Sequence, residues 1–254
     1  MDKEPPSPPP DPQFEDEKAP LEPPPELGKV EGPFGWVTAL LRQPRSVADN
    51  LLKDKGPTGT LTFFTVFIVC HLAYGLIMGL FSGEGQVYIV PMKMVLGTGL
   101  CALLCFPSLF IFACLSGVNV APSKVFSILI GGLAMCSLLL VGFLPVSFIF
   151  TFSVESVLFM GFVHLAVWLA SVYFACTYIR KGLTIGIPQG GSFFYFWNLV
   201  FILTLLQMST TLRPLLGPED TSSVFFQQEK KFFLEHWGDA LDDHAVGEEE
   251  EGWE

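Results

Sequence analysis

Few side chains in the long apolar stretches of this 254-residue chain could take part in chemistry. His71 and His164 are the two that titrate near neutral pH as bases, so each is a candidate for proton transfer or ligand binding. Asn198 and Gln207 carry large amides, which should face other helices or water rather than lipid. A neutral imidazole is also an ordinary hydrogen-bonding group in helix bundles, and we expect that structural role to be the more common one. These four residues are our candidate intramembrane polar contacts.

Motifs for covalent, metal or phosphate chemistry are missing from the sequence. All six cysteines lie in apolar stretches, and Cys101 and Cys105 share a helix face without any Cys-x-x-Cys pattern or Cys/His ligand set. The glycine-rich pieces GPTGT and PQGGS lack the lysine and the spacing of a phosphate-binding loop. Nucleophile elbows, His-Glu-x-x-His motifs and paired carboxylates are also missing. We therefore expect no enzyme activity, no cofactor and no metal or disulfide site.

The distribution of charge indicates the class of protein. Half of the residues are hydrophobic and only 15% are charged, against about 25% in ordinary soluble domains. Residues 1–31 hold nine acids and three bases, and residues 214–254 hold twelve acids and two bases, so most of the charge is at the ends. A nucleic-acid-binding protein, a polar soluble enzyme and a disordered chain are excluded. A multi-pass membrane protein remains.

Five stretches between formal charges are long enough for one membrane-spanning helix each, since a helix needs roughly 20 apolar residues to cross the bilayer. We predict spans near 60–81, 95–115, 125–150, 157–178 and 193–212, hence an all-α bundle of about five helices over residues 57–213. Pro107 and Pro145 fall inside the second and third spans. They shape packing or act as hinges, and an alternative is that the third span ends near Leu144.

Small residues predict close contacts between these helices. Gly75 and Gly79 form a G-x-x-x-G pattern in the first span, and Ala166 and Ala170 form its small-residue equivalent in the fourth. Small side chains let helix backbones approach each other, which stabilises association in lipid. These four residues are our candidates for helix packing.

The segments outside the spans differ in character. Residues 1–32 are proline-rich and acidic, with P-x-x-P spacings, and we predict a disordered tail. Residues 33–56 predict one or two short amphipathic helices with a break at Pro44, lying in the membrane interface or packed on the spans from below. Residues 214–254 form an acidic region with a predicted amphipathic helix at 224–237. The bilayer is the expected partner, and the proline-rich tail or the amphipathic segments are candidate docking sites for a protein.

Basic residues near the span ends predict the orientation. Lys93 and Arg213 flank the spans on one side. The other side has more basic residues: Arg42, Arg45, Lys53, Lys55, Lys124, Arg180 and Lys181. We predict a cytoplasmic N-terminus, a C-terminus on the opposite side, and no cleavable signal peptide.

The amphipathic entry segment LLRQPRSVADNLL (Leu40–Leu52), followed by five closely spaced spans, resembles the Yip (Ypt-interacting protein) family, particularly its bacterial relatives. The resemblance covers about residues 34–213 and is architectural, and the acidic C-terminal extension departs from it. It implies a membrane-organising or adaptor role in a bacterial inner membrane. We thus expect a non-catalytic scaffold or adaptor, with a small transporter or channel subunit with a midplane polar cavity as the alternative.

Overall fold

A computed structural model describes residues 24–28, 30–53, 57–81, 87–154, 157–185 and 192–211. Within these ranges the chain is helical and has no strand. The predicted tail up to residue 23, the acidic region 214–254 and its helix at 224–237 lie outside the described residues. The helices are α1 (Gly32–Arg42), α2 (Pro44–Lys53), α3 (Thr58–Phe81), α4 (Ile89–Leu115), α5 (Pro122–Ser153), α6 (Val157–Leu183) and α7 (Ser192–Thr211).

Four of the helices are long and apolar enough to cross a membrane, namely α3, α4, α5 and α6. The apolar part of α7, Phe193–Ser209, is shorter. Large hydrophobic side chains such as Leu104 and Ile111 of α4 are exposed on the outside of the bundle, where a soluble protein would place polar ones. The protein is therefore an all-α membrane protein of the multi-pass type.

Helix α5 lies at the centre of the bundle. It packs mainly against α3 and α6 and makes a smaller contact with α4. Helix α4 in turn packs against α3 and α7. Every residue from Ile128 to Ser137 is buried. A Cβ atom at Gly131 would lie 2.6 Å from the Tyr178 hydroxyl, and one at Gly132 would lie 2.6 Å from Ile179 Cγ1. The two glycines thus let α6 approach the central helix closely.

Both prolines lie within continuous helices. Helix α4 runs through Pro107, and α5 runs through Pro145 as far as Ser153. The alternative end of the third span near Leu144 is therefore wrong. A proline in a helix removes one backbone hydrogen bond, whereas ending the helix would leave four carbonyls without helical partners. In an apolar environment the second loss is the greater one.

Helix α4 begins at Ile89, six residues before the predicted start of the second span. The prediction that Lys93 lies outside the spans is wrong, because this residue is in the second turn of α4 and fully buried. A charged residue does not mark the start of this helix, because the apolar stem of a lysine packs like a hydrophobic side chain near the end of a span.

Helices α1 and α2 pack on the end of the bundle that contains the start of α3 and the end of α6. Helix α2 buries Val47, Ala48 and Leu51 against α5 and α6. A Cβ atom at Gly182 of α6 would lie 2.9 Å from Ala48 Cβ. Lys124 Nζ donates a hydrogen bond of 3.1 Å to the Leu51 carbonyl, near the C-terminal end of α2. Together, α1 and α2 form a platform, residues 32–53, fixed to the bundle.

Candidate functional site

A buried hydrogen-bonded cluster joins α3, α5 and α6. The Tyr74 hydroxyl lies 2.7 Å from Nδ1 of His164 and 3.3 Å from the Ser147 hydroxyl oxygen. The rings of Tyr74 and His164 meet edge to face, with their centroids 5.5 Å apart. All three side chains are at most 4% exposed. We call these three residues the polar cluster.

The local backbone fixes the positions of the cluster residues. Gly75, next to Tyr74, lies at a close approach between α3 and α4, since a Cβ atom there would lie 2.6 Å from Pro91 Cα. Ser147 follows Pro145 by two residues, so it lies directly after the turn of α5, residues 141–145, in which the proline removes a backbone hydrogen bond. The tyrosine thus occupies a tightly packed site, and the serine lies beside an interrupted stretch of helix.

His71 lies one turn before Tyr74 on α3 and is fully buried. Its ring centroid is 4.6 Å from that of Phe67. Neither of its ring nitrogens has a hydrogen-bond partner, and Nε2 of His164 also has none among the residues with described side chains. Burying a polar group without a partner costs roughly 1–3 kcal/mol. Two imidazoles and a phenol could bind a small polar molecule or pass a proton.

The two candidate amides lie on α7, which packs against α4. Asn198 is half-buried, and its Oδ1 is buried without a hydrogen-bond partner among the described residues. Gln207 is exposed on α7. Gln207 is close to the end of the helix at Thr211, from where a long flexible side chain can reach the polar headgroup layer.

Sequence reasoning selected one member of the polar cluster, His164, and the neighbouring His71. It missed Tyr74 and Ser147 because a phenol and a hydroxyl are common in apolar helices and carry no charge. A signal was present in the positions themselves. Tyr74 follows His71 by three residues, which places both on one side of a helix. Ser147 follows a helical proline by two residues.

The second interrupted helix, α4, has a polar contact of its own. Trp197 Nε1 of α7 donates a hydrogen bond of 3.2 Å to the Cys105 carbonyl, two residues before Pro107. The Ser108 hydroxyl donates to the same carbonyl at 2.8 Å. Trp197 also stacks on Phe201, with centroids 5.0 Å apart and an interplanar angle of 10°. These contacts attach α7 to the turn of α4 that contains Pro107.

Of the four residues predicted to pack helices together, the two glycines are buried and the two alanines are exposed. Gly75 contacts α4 as described, and Gly79 is buried on the same helix. Ala166 and Ala170 are exposed, so they do not pack inside the bundle as predicted. The packing face of α6 instead contains Ser171 and Ala175. A small-x-x-x-small spacing is common in apolar helices, and the spacing alone does not say which face of a helix is buried.

In the part of the chain that the structure describes, histidine, cysteine and acidic side chains form no group of three or more that could hold a metal ion. Comparisons with known proteins return no match: no protein-family model, no curated protein and no solved structure is significantly similar to this chain. The function is therefore inferred from the geometry of the chain itself.

Proposed function

We propose that this protein is a non-catalytic membrane scaffold or adaptor that organises the membrane or recruits partners. The observation that carries the proposal is the central position of α5, which is buried on all sides from Ile128 to Ser137. A helix packed in this way fills the axis of the bundle over about 15 Å. Helix α2 packs across the end of the same bundle. This arrangement favours a solid body with functional outer surfaces over a continuous pathway through its centre.

Five spans complete the proposed topology, with α7 as the fifth. Its 20 residues give a length of about 30 Å, which matches the hydrocarbon thickness. The basic residues at the platform end of the bundle support a cytoplasmic N-terminus by the positive-inside rule, with the C-terminus on the opposite side. They are Arg42, Arg45, Lys53, Lys124, Arg180 and Lys181. A bacterial inner membrane and a Yip-like organising role fit this topology.

In this proposal the platform is the cytoplasmic docking element. It is tied to α5 and α6 by the Lys124–Leu51 hydrogen bond and by the close approach of Gly182 to Ala48. A partner bound to the platform would thus be held at a fixed distance from the bilayer. The proline-rich tail that precedes the platform is a second candidate docking site.

Reconstitution in liposomes tests the proposal. We expect proteoliposomes of the full chain to remain tight to protons, potassium ions and small metabolites, as measured with an entrapped pH-sensitive dye and by radiotracer retention. The double variant His71→Ala/His164→Ala should keep its membrane expression. It should also keep the partners recovered by chemical cross-linking in native membranes. Loss of those partners with normal expression would contradict a scaffold role.

A small transporter or channel subunit is the second candidate, favoured by the polar cluster and by the unpartnered nitrogens of His71 and His164. The cluster lies beside the helical Pro145, as in transporters that place substrate sites at interrupted helices. This candidate predicts solute flux in the same liposomes, with a rate that changes in the Pro145→Ala variant.

A further inference from the structure

Helix α1 has two apolar faces, and only one of them is buried in the protein. Trp36 and Leu40 point into the bundle and are at most 8% exposed, whereas Phe34 is 86% exposed and Leu41 is 50% exposed. Phe34, Thr38 and Leu41 are spaced by four and three residues, so they share one side of the helix. We call this side the outer face of α1.

The contacts of Trp36 determine where the outer face points. The Trp36 ring meets Phe63 edge to face, with centroids 5.8 Å apart. It also lies 3.0 Å from the position that a Cβ atom would take at Gly59. Gly59 and Phe63 are one turn apart on α3, so Trp36 packs α1 against the first turns of α3. At this level Leu61 and Phe64 of α3 are exposed. The outer face therefore points away from the bundle axis, near the exposed apolar side chains at the start of α3.

Helices α1 and α2 themselves carry a net positive charge. They hold Arg42, Arg45 and Lys53 against one acid, Asp49, while two further acids, Glu26 and Glu31, lie in the segment before α1. Lys53 and Asp49 pair with each other at 2.6 Å, while neither arginine has an ion-pair partner in the described part of the chain. Arg42 follows Phe34 by eight residues and lines an open groove along α1 together with Phe34, Leu27 and Glu31. Glu31, which precedes α1, is the acidic residue of that groove.

We propose that the outer face of α1 binds the anionic headgroup layer of the bilayer in which the protein sits. Phe34 and Leu41 insert below the headgroups, and Arg42 and Arg45 contact lipid phosphates. An amphipathic helix with an apolar side and basic residues beside it is the form that binds anionic membrane surfaces, and guanidinium groups bind phosphate in bidentate geometry. The inference rests on the proposed function in placing α1 at the cytoplasmic surface.

Photocrosslinking of the full chain tests this inference. The variant Phe34→p-benzoylphenylalanine is reconstituted in nanodiscs of phosphatidylcholine and phosphatidylglycerol in equal amounts, irradiated, and analysed by intact-protein mass spectrometry. Two probes at the same end of the bundle serve as matched controls. Leu61→p-benzoylphenylalanine on α3 reports contact with lipid, and Asn119→p-benzoylphenylalanine, exposed in the turn between α4 and α5, reports contact with water.

We expect lipid adducts at position 34 with a yield similar to that of the Leu61 probe. Phosphatidylglycerol adducts should exceed phosphatidylcholine adducts by at least about twofold. Adding Arg42→Gln and Arg45→Gln should return that ratio to one, whereas Lys53→Gln should leave it unchanged because Lys53 is already paired. Lipid adducts at position 61 in every variant confirm that the bundle is folded and inserted.

Two results would overturn the inference. In the first, position 61 gives lipid adducts, but the probe at position 34 gives either no lipid adduct or an adduct to a second protein chain. The other is a phosphatidylglycerol ratio that is the same with and without the arginines. Either result would leave the scaffold proposal standing if the liposomes are tight. Solute flux in liposomes would contradict the scaffold proposal without changing the lipid adducts. The two proposals therefore fail separately.

Discussion

The Tyr74 hydroxyl lies 2.7 Å from Nδ1 of His164, although the two residues are 90 positions apart in the chain. With the contact of Tyr74 to Ser147 at 3.3 Å, one phenol joins three helices, α3, α5 and α6, that otherwise pack mainly through apolar side chains. Interhelical hydrogen bonds of this kind are worth about 0.6–2 kcal/mol in membrane proteins. The polar cluster therefore also stabilises the bundle, whichever function it serves.

Replacement of Tyr74 by phenylalanine should destabilise the protein by about 1–3 kcal/mol, because it leaves buried polar atoms of His164 and Ser147 without this partner. The loss is measured as a lower midpoint of thermal unfolding in detergent. Tyr173→Phe is the matched control, since Tyr173 is 65% exposed on α6 and should unfold like the native chain. Equal midpoints for the two variants would mean that the cluster contributes nothing to stability.

Two glycines in helices should respond in opposite ways to alanine. Gly75→Ala places a Cβ atom 2.6 Å from the Pro91 backbone, so α3 and α4 must separate and the bundle should lose stability. Gly142→Ala has nothing within 4 Å and should be neutral or stabilising by up to about 1 kcal/mol, because alanine favours the helix. Chemical denaturation in mixed micelles compares them. A Gly75→Ala protein as stable as the Gly142→Ala protein would disprove the close crossing.

Docking of α2 should depend on Ala48, which is fully buried beside Gly182. Ala48→Asp introduces a charge with no partner there, and we expect α2 to detach from the bundle. Backbone amides of residues 44–53 should then exchange hydrogen at least about tenfold faster, because the free energy of opening α2 falls by about 1.4 kcal/mol or more. Lys53→Gln, at an exposed position, should leave the exchange of the helix nearly unchanged. Unaltered exchange in Ala48→Asp would show that the platform is not fixed to the bundle.

Attachment of α7 should weaken when the indole N–H of Trp197 is removed. Trp197→Phe keeps the aromatic stack on Phe201 but loses the hydrogen bond to the Cys105 carbonyl, at a cost of about 1 kcal/mol. Limited proteolysis in detergent should release α7 sooner than in the native chain. Leu199→Phe, on the exposed side of α7, is the control. Identical cleavage of Trp197→Phe and the native protein would count against this contact.

Much of the fold could be predicted from the sequence because lipid imposes a simple rule on composition. Long uncharged stretches must become helices, so the all-helical class and the positions of the apolar helices follow from the spacing of charges. The rule fails at helix ends. Lys93 looked like a boundary but lies inside α4, since the stem of a lysine is apolar and its charge is only at the tip.

Which face of each helix is buried could not be predicted. In a helix of a soluble protein, the polar residues mark the side that faces water. These helices are apolar on all sides, because lipid and the protein interior both favour apolar side chains. Gly75 and Ala166 both belong to small-residue patterns, yet the first contacts Pro91 and the second is exposed. The contact between Tyr74 and His164 depends on how α3 and α6 are rotated about their own axes. The sequence does not determine that rotation, so this contact was not predicted.

The position of α2 determines the order in which the molecule can be completed during synthesis. This helix leaves the ribosome before α3 to α7. Leu51 nevertheless bonds to Lys124, which is 73 residues later in the chain, and Ala48 packs against Gly182, which is later still. For most of translation, the apolar face of α2 therefore has no native surface to pack against. It closes onto the bundle only after α6 has been inserted, so its burial marks the moment at which the membrane domain is assembled.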